Sequence, residues 1–258
     1  MNKKAQMGEI QRIIIISIGG ILLLTFIGVT VYQKYFTIGE IEVCRFSALA
    51  QATAKTVTLP GGSPFNLECK RRFVNIEQDH ATMEYDTPMP KKPLQIITRG
   101  SKVKKYPAPT NDIINGIIAE EMKTCWYQFG EGKTDVFQNK WFAGDTVCFI
   151  CSEVSFDEKI QPQQYTGLLE YLHTVDYPLG SKSYFDYFAE TKNLDDLTTY
   201  INKDKKTYDL INATNTYYVL FVKDTTFFTF KTGTDKNSYL VLLFTPDQID
   251  DRCSNMAG

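Results

Sequence analysis

Histidine is scarce: only His80 and His173 occur in 258 residues, and neither has a ligand partner at zinc-site spacing. That removes the usual two-histidine metal patterns and leaves little material for an imidazole acid or base. The chain also lacks a Ser/His/Asp constellation, an HExxH helix, a Walker motif and a dinucleotide fingerprint. No catalytic residue, cofactor or metal is therefore expected, and the chain reads as a non-enzyme. It has no basic excess, its formal charge being −2, so it lacks the positive face that a nucleic-acid partner demands. Internal repeats and low-complexity tracts are absent too. Phe129-Gly130-Glu131-Gly132 has no following Lys-Ser/Thr and comes after a helical pattern, so it is not a phosphate loop.

Charge is missing in one place where its absence means most. Ile13 to Tyr32 reads IIIISIGGILLLTFIGVTVY, with no charged residue. A bilayer core of about 30 Å needs about 20 such residues in a helix, and the run is apolar on every face. Lys3, Lys4 and Arg12 precede it, opposed only by Glu9, whereas Lys34, Glu40 and Glu42 follow. The positive side stays in the cytoplasm. Residues 1–12 thus read as a basic cytoplasmic leader, 13–32 as a transmembrane helix and 33–258 as an extracytoplasmic domain. The apolar run exceeds a secretory h-region, and no small-x-small site follows it, so it reads as an uncleaved anchor.

The opening MNKKAQMGE resembles the class III signal peptides of archaeal type IV pilin-like proteins. The resemblance implies processing by a prepilin-type peptidase between Ala5 and Gln6, with Lys3 and Lys4 as basic determinants. Glu9 would then stand near the start of the mature helix. The likeness covers about the first 32 residues. The Cys-rich middle resembles uncharacterised archaeal membrane proteins, a likeness that assigns no activity.

Cys44, Cys69, Cys125, Cys148, Cys151 and Cys253 all lie beyond the apolar run. An even count on the oxidising side reads as up to three disulfides, in any of 15 connectivities. Cys148-Phe149-Ile150-Cys151 is a CxxC, which raises redox and metal chemistry as alternatives. Its flanks, Thr146-Val147 and Ser152-Glu153-Val154, are strand-like, whereas a reactive pair sits at a helix start. In an extended segment, side chains three apart face opposite ways. Cys148 and Cys151 are therefore expected to bond to distant partners, Cys125 being the nearest candidate.

An α+β fold is expected. Helices are predicted at Gly39 to Lys55, with Val43, Phe46, Ala50 and Ala54 on the packed face, at Thr110 to Phe129, at Gln164 to Thr174 and at Leu194 to Asn202. In the second of these, Thr110 or Asn111 is the cap, and Ile113, Ile114, Ile117, Ile118 and Met122 form the buried stripe. Strands are predicted at Asn66 to Gln78 and Leu94 to Thr98. A C-terminal antiparallel meander follows at Tyr217 to Val222, Thr226 to Phe230 and Tyr239 to Phe244. Leu59 to Pro64 reads as a turn, the lysines at 102, 104 and 105 as a solvated loop, and Cys253 as a residue that a bridge could pin. Glu120-Glu121, Asp195-Asp196 and Asp250-Asp251 read as solvated acidic faces. Asn212-Ala213-Thr214 is an N-glycosylation sequon.

These features point to a membrane-anchored surface protein, a pilin-like filament or pseudopilus subunit. The alternative is a bitopic adhesin- or receptor-type domain, and behind both stands a thiol oxidoreductase using the CxxC. The expected partners are the lipid bilayer and, through the transmembrane helix, further copies of the chain. No motif specifies an extracellular partner.

Overall fold

The computed structural model describes residues 39–53, 67–85, 102–133, 135–137, 146–178, 181–189, 205–224 and 238–256. The chain divides into two compact units, Met1–Glu40 and Ile41–Gly258. Of the first, only residues 39 and 40 are described, as helix. The predicted span, the leader, the turn at 59–64, the strand at 94–98 and the helix at 194–202 lie outside the described residues. Among the described residues, no helix is long and apolar enough to cross a membrane.

The second unit is α+β, built on a seven-stranded mixed sheet. Its strands are β1 (Arg72–Ile76), β2 (His80–Tyr85), β3 (Lys102–Lys105), β4 (Thr146–Phe156), β7 (Tyr217–Asp224), β8 (Ser238–Phe244) and β9 (Asn255–Met256). They run in the order β3-β2-β1-β4-β7-β8, with β9 beside β4. Pairing is antiparallel except where β1 and β9 meet β4. Those two strands use different stretches of β4: β1 pairs from Ser152 to Phe156, β9 at Val147 and Cys148. Strands β5 (Gln164–Thr166) and β6 (Leu210–Asn212) form a separate antiparallel pair.

Helix α1 covers 39–53, α2 Asn111–Gln128, α3 Leu168–Thr174, α4 Tyr184–Ala189, α5 Lys205–Asp209 and α6 Pro246–Arg252. The central element is α2. Thr110 caps it, its hydroxyl accepting from the Ile113 amide, and Asp112 complements the positive end. Ile114, Ile117, Ile118 and Met122 are fully buried, while Ile113 is partly covered. The helix lies against β4, β7 and β8. Phe129 anchors that contact, its ring 4.5 Å from Phe221 and 4.9 Å from Phe149. Gly130, Glu131 and Gly132 then turn the chain, all at positive φ. Gly132 is obligatory on a second ground, because a Cβ there would stand 2.5 Å from the Trp126 ring.

Several expectations need correction. The inward residues of α1 are Cys44, Ala48 and Gln51, whereas Val43 and Phe46 are 46% and 77% exposed. Both stripes fit a helical period, and the Cys44–Cys69 bridge selects the one that turns inward. The predicted 66–78 strand shortens to Arg72–Ile76. The lysines at 102–105 are not in a loop but form β3, pairing with β2, and lysines suit such a sheet-end strand because they block further pairing. Gln164 to Thr174 is not one helix: β5 ends at Thr166, and Gly167, at φ 84°, turns into α3. The meander is a hairpin at its ends, since β7 and β8 pair directly from Tyr218↔Phe244 to Asp224↔Ser238. The expected middle strand, 226–230, lies outside the described residues.

Candidate functional site

The six cysteines form three bridges: Cys44–Cys69, Cys125–Cys151 and Cys148–Cys253. Cys148 and Cys151 lie on β4 and do not bond to each other. Cys151 reaches the last turn of α2, while Cys148 holds the tail beyond α6, where β9 pairs beside it. A register shift between Ile150 and Ser152 sits at Cys151 and interrupts the strand's alternation there, and the two sulfurs bond to different partners. Four of the six, Cys44, Cys125, Cys148 and Cys151, are fully buried or nearly so. Closing loops with separations of 25, 26 and 105 residues restricts the unfolded chain by about 3.5 kcal/mol for each short loop and 4.7 for the long one.

Beside this framework lies a cleft of about 450 Å3. Its floor is the side of α2 carrying Gly116, Ile117, Glu120 and Glu121, and its walls include Met83 of β2, Lys104 of β3, and the rings of Tyr171 and Tyr184. Gly116 shapes it: a Cβ there would stand 2.8 Å from the Tyr171 hydroxyl. Glu120 accepts hydrogen bonds from the Tyr184 hydroxyl and from Lys123 Nζ. Burial pushes the Tyr184 phenol up, and the adjacent Glu120 carboxylate adds to this, so Tyr184 remains a donor. Tyr171 shifts the same way, from burial and then from the charges of Asp112 and Glu120.

Glu121 corrects the reading of Glu120-Glu121 as a solvated face. It is 4% exposed and takes Arg72 Nε at 2.8 Å, while Arg72 also donates to Gln128 Oε1 and to the Glu121 carbonyl. A buried charge pair needs such saturation, because desolvation opposes it. Asp250 and Asp251 are exposed on α6, and Asp195-Asp196 lies outside the described residues.

A second pair, buried on the lysine side only, joins Lys223 Nζ to the half-buried Asp135 at 3.1 Å, with the Tyr239 hydroxyl donating to the same carboxylate. Burial pushes the Tyr239 phenol up, and Asp135 reinforces the shift. The histidines stand apart. His80 Nδ1 is 2.7 Å from Asp79, whose carboxyl that bond holds below its usual range, and His173 stacks on Phe185. Among the described residues, no group of three His, Cys, Asp or Glu side chains could hold a metal ion.

Asn212 ends β6, and Lys3, Lys4, Ala5 and Gln6 lie outside the described residues. Sequence reasoning missed the cleft, whose parts come from α2, β1 to β3 and the α3–α4 region. Only Gly116, an isolated glycine inside a strongly helical pattern, offered a signal, since such a glycine invites a packing reason. No family model, curated protein or solved structure matches this chain.

Proposed function

We propose that the chain is a membrane-anchored protein displaying its disulfide-locked domain outside the cytoplasm, and that it assembles as a pilin-like subunit. The observation that carries the placement is the pairing of all six cysteines, with no free thiol. Such a framework persists in an oxidising compartment and is rare where thiols are kept reduced. The apolar run at 13–32 supplies the anchor, and MNKKAQMGE supplies the resemblance on which assembly rests. Removing the leader favours assembly physically, because drawing Lys3 and Lys4 into an apolar helix bundle costs several kcal/mol.

The cleft favours a second reading, a bitopic receptor-type domain that binds a ligand without forming filaments. The thiol-oxidoreductase reading is not carried forward. Its cycle needs two thiols that close on each other, and Cys148 and Cys151 belong to separate bridges. Mass spectrometry of the N-terminus, with comparison of membrane and sheared-filament fractions, separates the two surviving readings. The pilin reading expects a start at Gln6 and protein in the sheared fraction. A start at Met1 in protein confined to the membrane leaves the bitopic reading.

A further inference from the structure

The sequon Asn212-Ala213-Thr214 lies in a turn built in an unusual amount of detail. In β6 the pattern is half-buried, buried, half-buried, so Ile211 points into the core and Asn212 points the opposite way. The chain then turns over Ala213 and Thr214 into β7. Ala213 is 1% exposed, and its amide donates to the Gln163 carbonyl at 2.9 Å. Only a small residue fits at that middle position. Thr214 and Asn215 are exposed.

The Asn212 backbone is held from both sides. Its amide donates to the Tyr217 hydroxyl at 2.7 Å, and its carbonyl accepts from the Asn215 amide at 2.9 Å. The Asn212 side-chain Oδ1 accepts from the Thr214 amide at 3.1 Å, closing an Asx turn across the sequon. With Oδ1 so engaged, the carboxamide nitrogen Nδ2 has no hydrogen-bond partner among the described residues, and Asn212 itself is half-buried at the end of β6. An amide nitrogen is a poor nucleophile because its lone pair is delocalised into the carbonyl. A sequon that fixes Oδ1 and leaves Nδ2 open presents the reacting atom to a transferase in one orientation.

We propose that Asn212 is N-glycosylated by a lipid-phosphate-linked oligosaccharide outside the cytoplasm. This rests on the extracytoplasmic placement proposed above, since donor and acceptor must share a compartment. In the step, Nδ2 bonds to the anomeric carbon of the donor's first sugar, and the bond from that carbon to the lipid phosphate oxygen breaks. The oxygen leaves with the electron pair as the lipid phosphate, and Nδ2 gives one proton to a base of the transferase. No electrons are gained or lost. Thr214 fills the hydroxyl position of the sequon, and its amide orients Asn212. The glycan would sit at the β6–β7 turn, outside the 450 Å3 cleft, none of whose lining residues belongs to that turn.

The test is the mass of the full chain purified from its native membrane, with mapping of the peptide containing Asn212. Protease digestion of intact cells is run in parallel to place the domain. The expected result is a sugar mass at Asn212 that Asn212→Gln and Thr214→Ala abolish and Thr214→Ser retains. Each variant should keep all three disulfides, which shows that the fold survives. A domain that protease reaches from outside, with intact bridges and an unmodified Asn212, overturns this proposal and leaves the placement standing. A domain shielded inside the cell with Asn212 unmodified overturns both.

Discussion

Two sides of α2 are held by different physics. Its C-terminal end sits among aromatic rings, Trp126 and Phe129 against Phe137, Phe149 and Phe221, and is tied covalently to β4 through Cys125–Cys151. Its other side carries Glu120 and Glu121 into a cleft where Arg72, Tyr171 and Tyr184 meet. Apolar burial is non-directional and tolerates small shifts, so the first region is a scaffold. The second depends on directed bonds that must all be made, which fixes its side chains and leaves an open surface. A domain built this way keeps one side rigid and offers the other for contact.

Removing the covalent tie should have the largest effect. Replacing Cys125 and Cys151 together with alanine is expected to lower stability by about 3.5 kcal/mol or more, from loop entropy plus the small voids left behind. Denaturant unfolding of the purified domain measures it. A loss below about 1 kcal/mol would mean that the aromatic packing alone holds this end of α2.

The polar region should respond by a different rule. Glu121→Gln alone leaves Arg72 buried and under-paired, with an expected loss of about 3 kcal/mol, whereas Arg72→Met with Glu121→Leu should recover most of it. Phe129→Ala should lose about 3–5 kcal/mol, with no such rescue by a second truncation. A double-mutant cycle read by denaturant midpoints sharpens the contrast. It breaks if the Arg72/Glu121 pair behaves additively.

Acid should touch the scaffold end only slightly, at Glu131. Burial raises its carboxyl, but bonds from Lys133 and Tyr187 and the charges of Lys133 and Arg45 outweigh this and hold it below the usual glutamate range. A lowered folded value means that the stabilisation is fully present above the ordinary glutamate pKa of about 4.3 and fades as pH falls through the depressed value. Tm measured against pH should therefore fall slightly more steeply below about pH 4 in the unmodified domain than in Glu131→Gln. Identical profiles would remove Glu131 from the account.

Much of the scaffold was legible in the sequence. The 3.6-residue recurrence of Ile113, Ile114, Ile117, Ile118 and Met122 marked α2, and Thr110 or Asn111 marked its start, of which Thr110 is the cap. The runs around Cys148, Tyr217 and Tyr239 read as strands, and the expected bonding of Cys148 and Cys151 to distant partners holds, although the register shift at Cys151 breaks the alternation from which it was argued. What stayed hidden depended on partners distant in the chain. Arg72 and Glu121 are 49 residues apart, so nothing local distinguished Glu121 from its neighbour Glu120. The two stripes of α1 were equally helical, and only the pairing of Cys44 with Cys69 chose between them. Gly167 was the local clue that Gln164 to Thr174 breaks into strand and helix.

The central claim is that the domain is locked by three bridges, two of which divide the CxxC between separate partners. Alkylating the denatured, unreduced chain and mapping its peptides tests it most directly. The account predicts no alkylated cysteine and three linked pairs, Cys44–Cys69, Cys125–Cys151 and Cys148–Cys253. A Cys148–Cys151 link, or free thiols at either position, would contradict it.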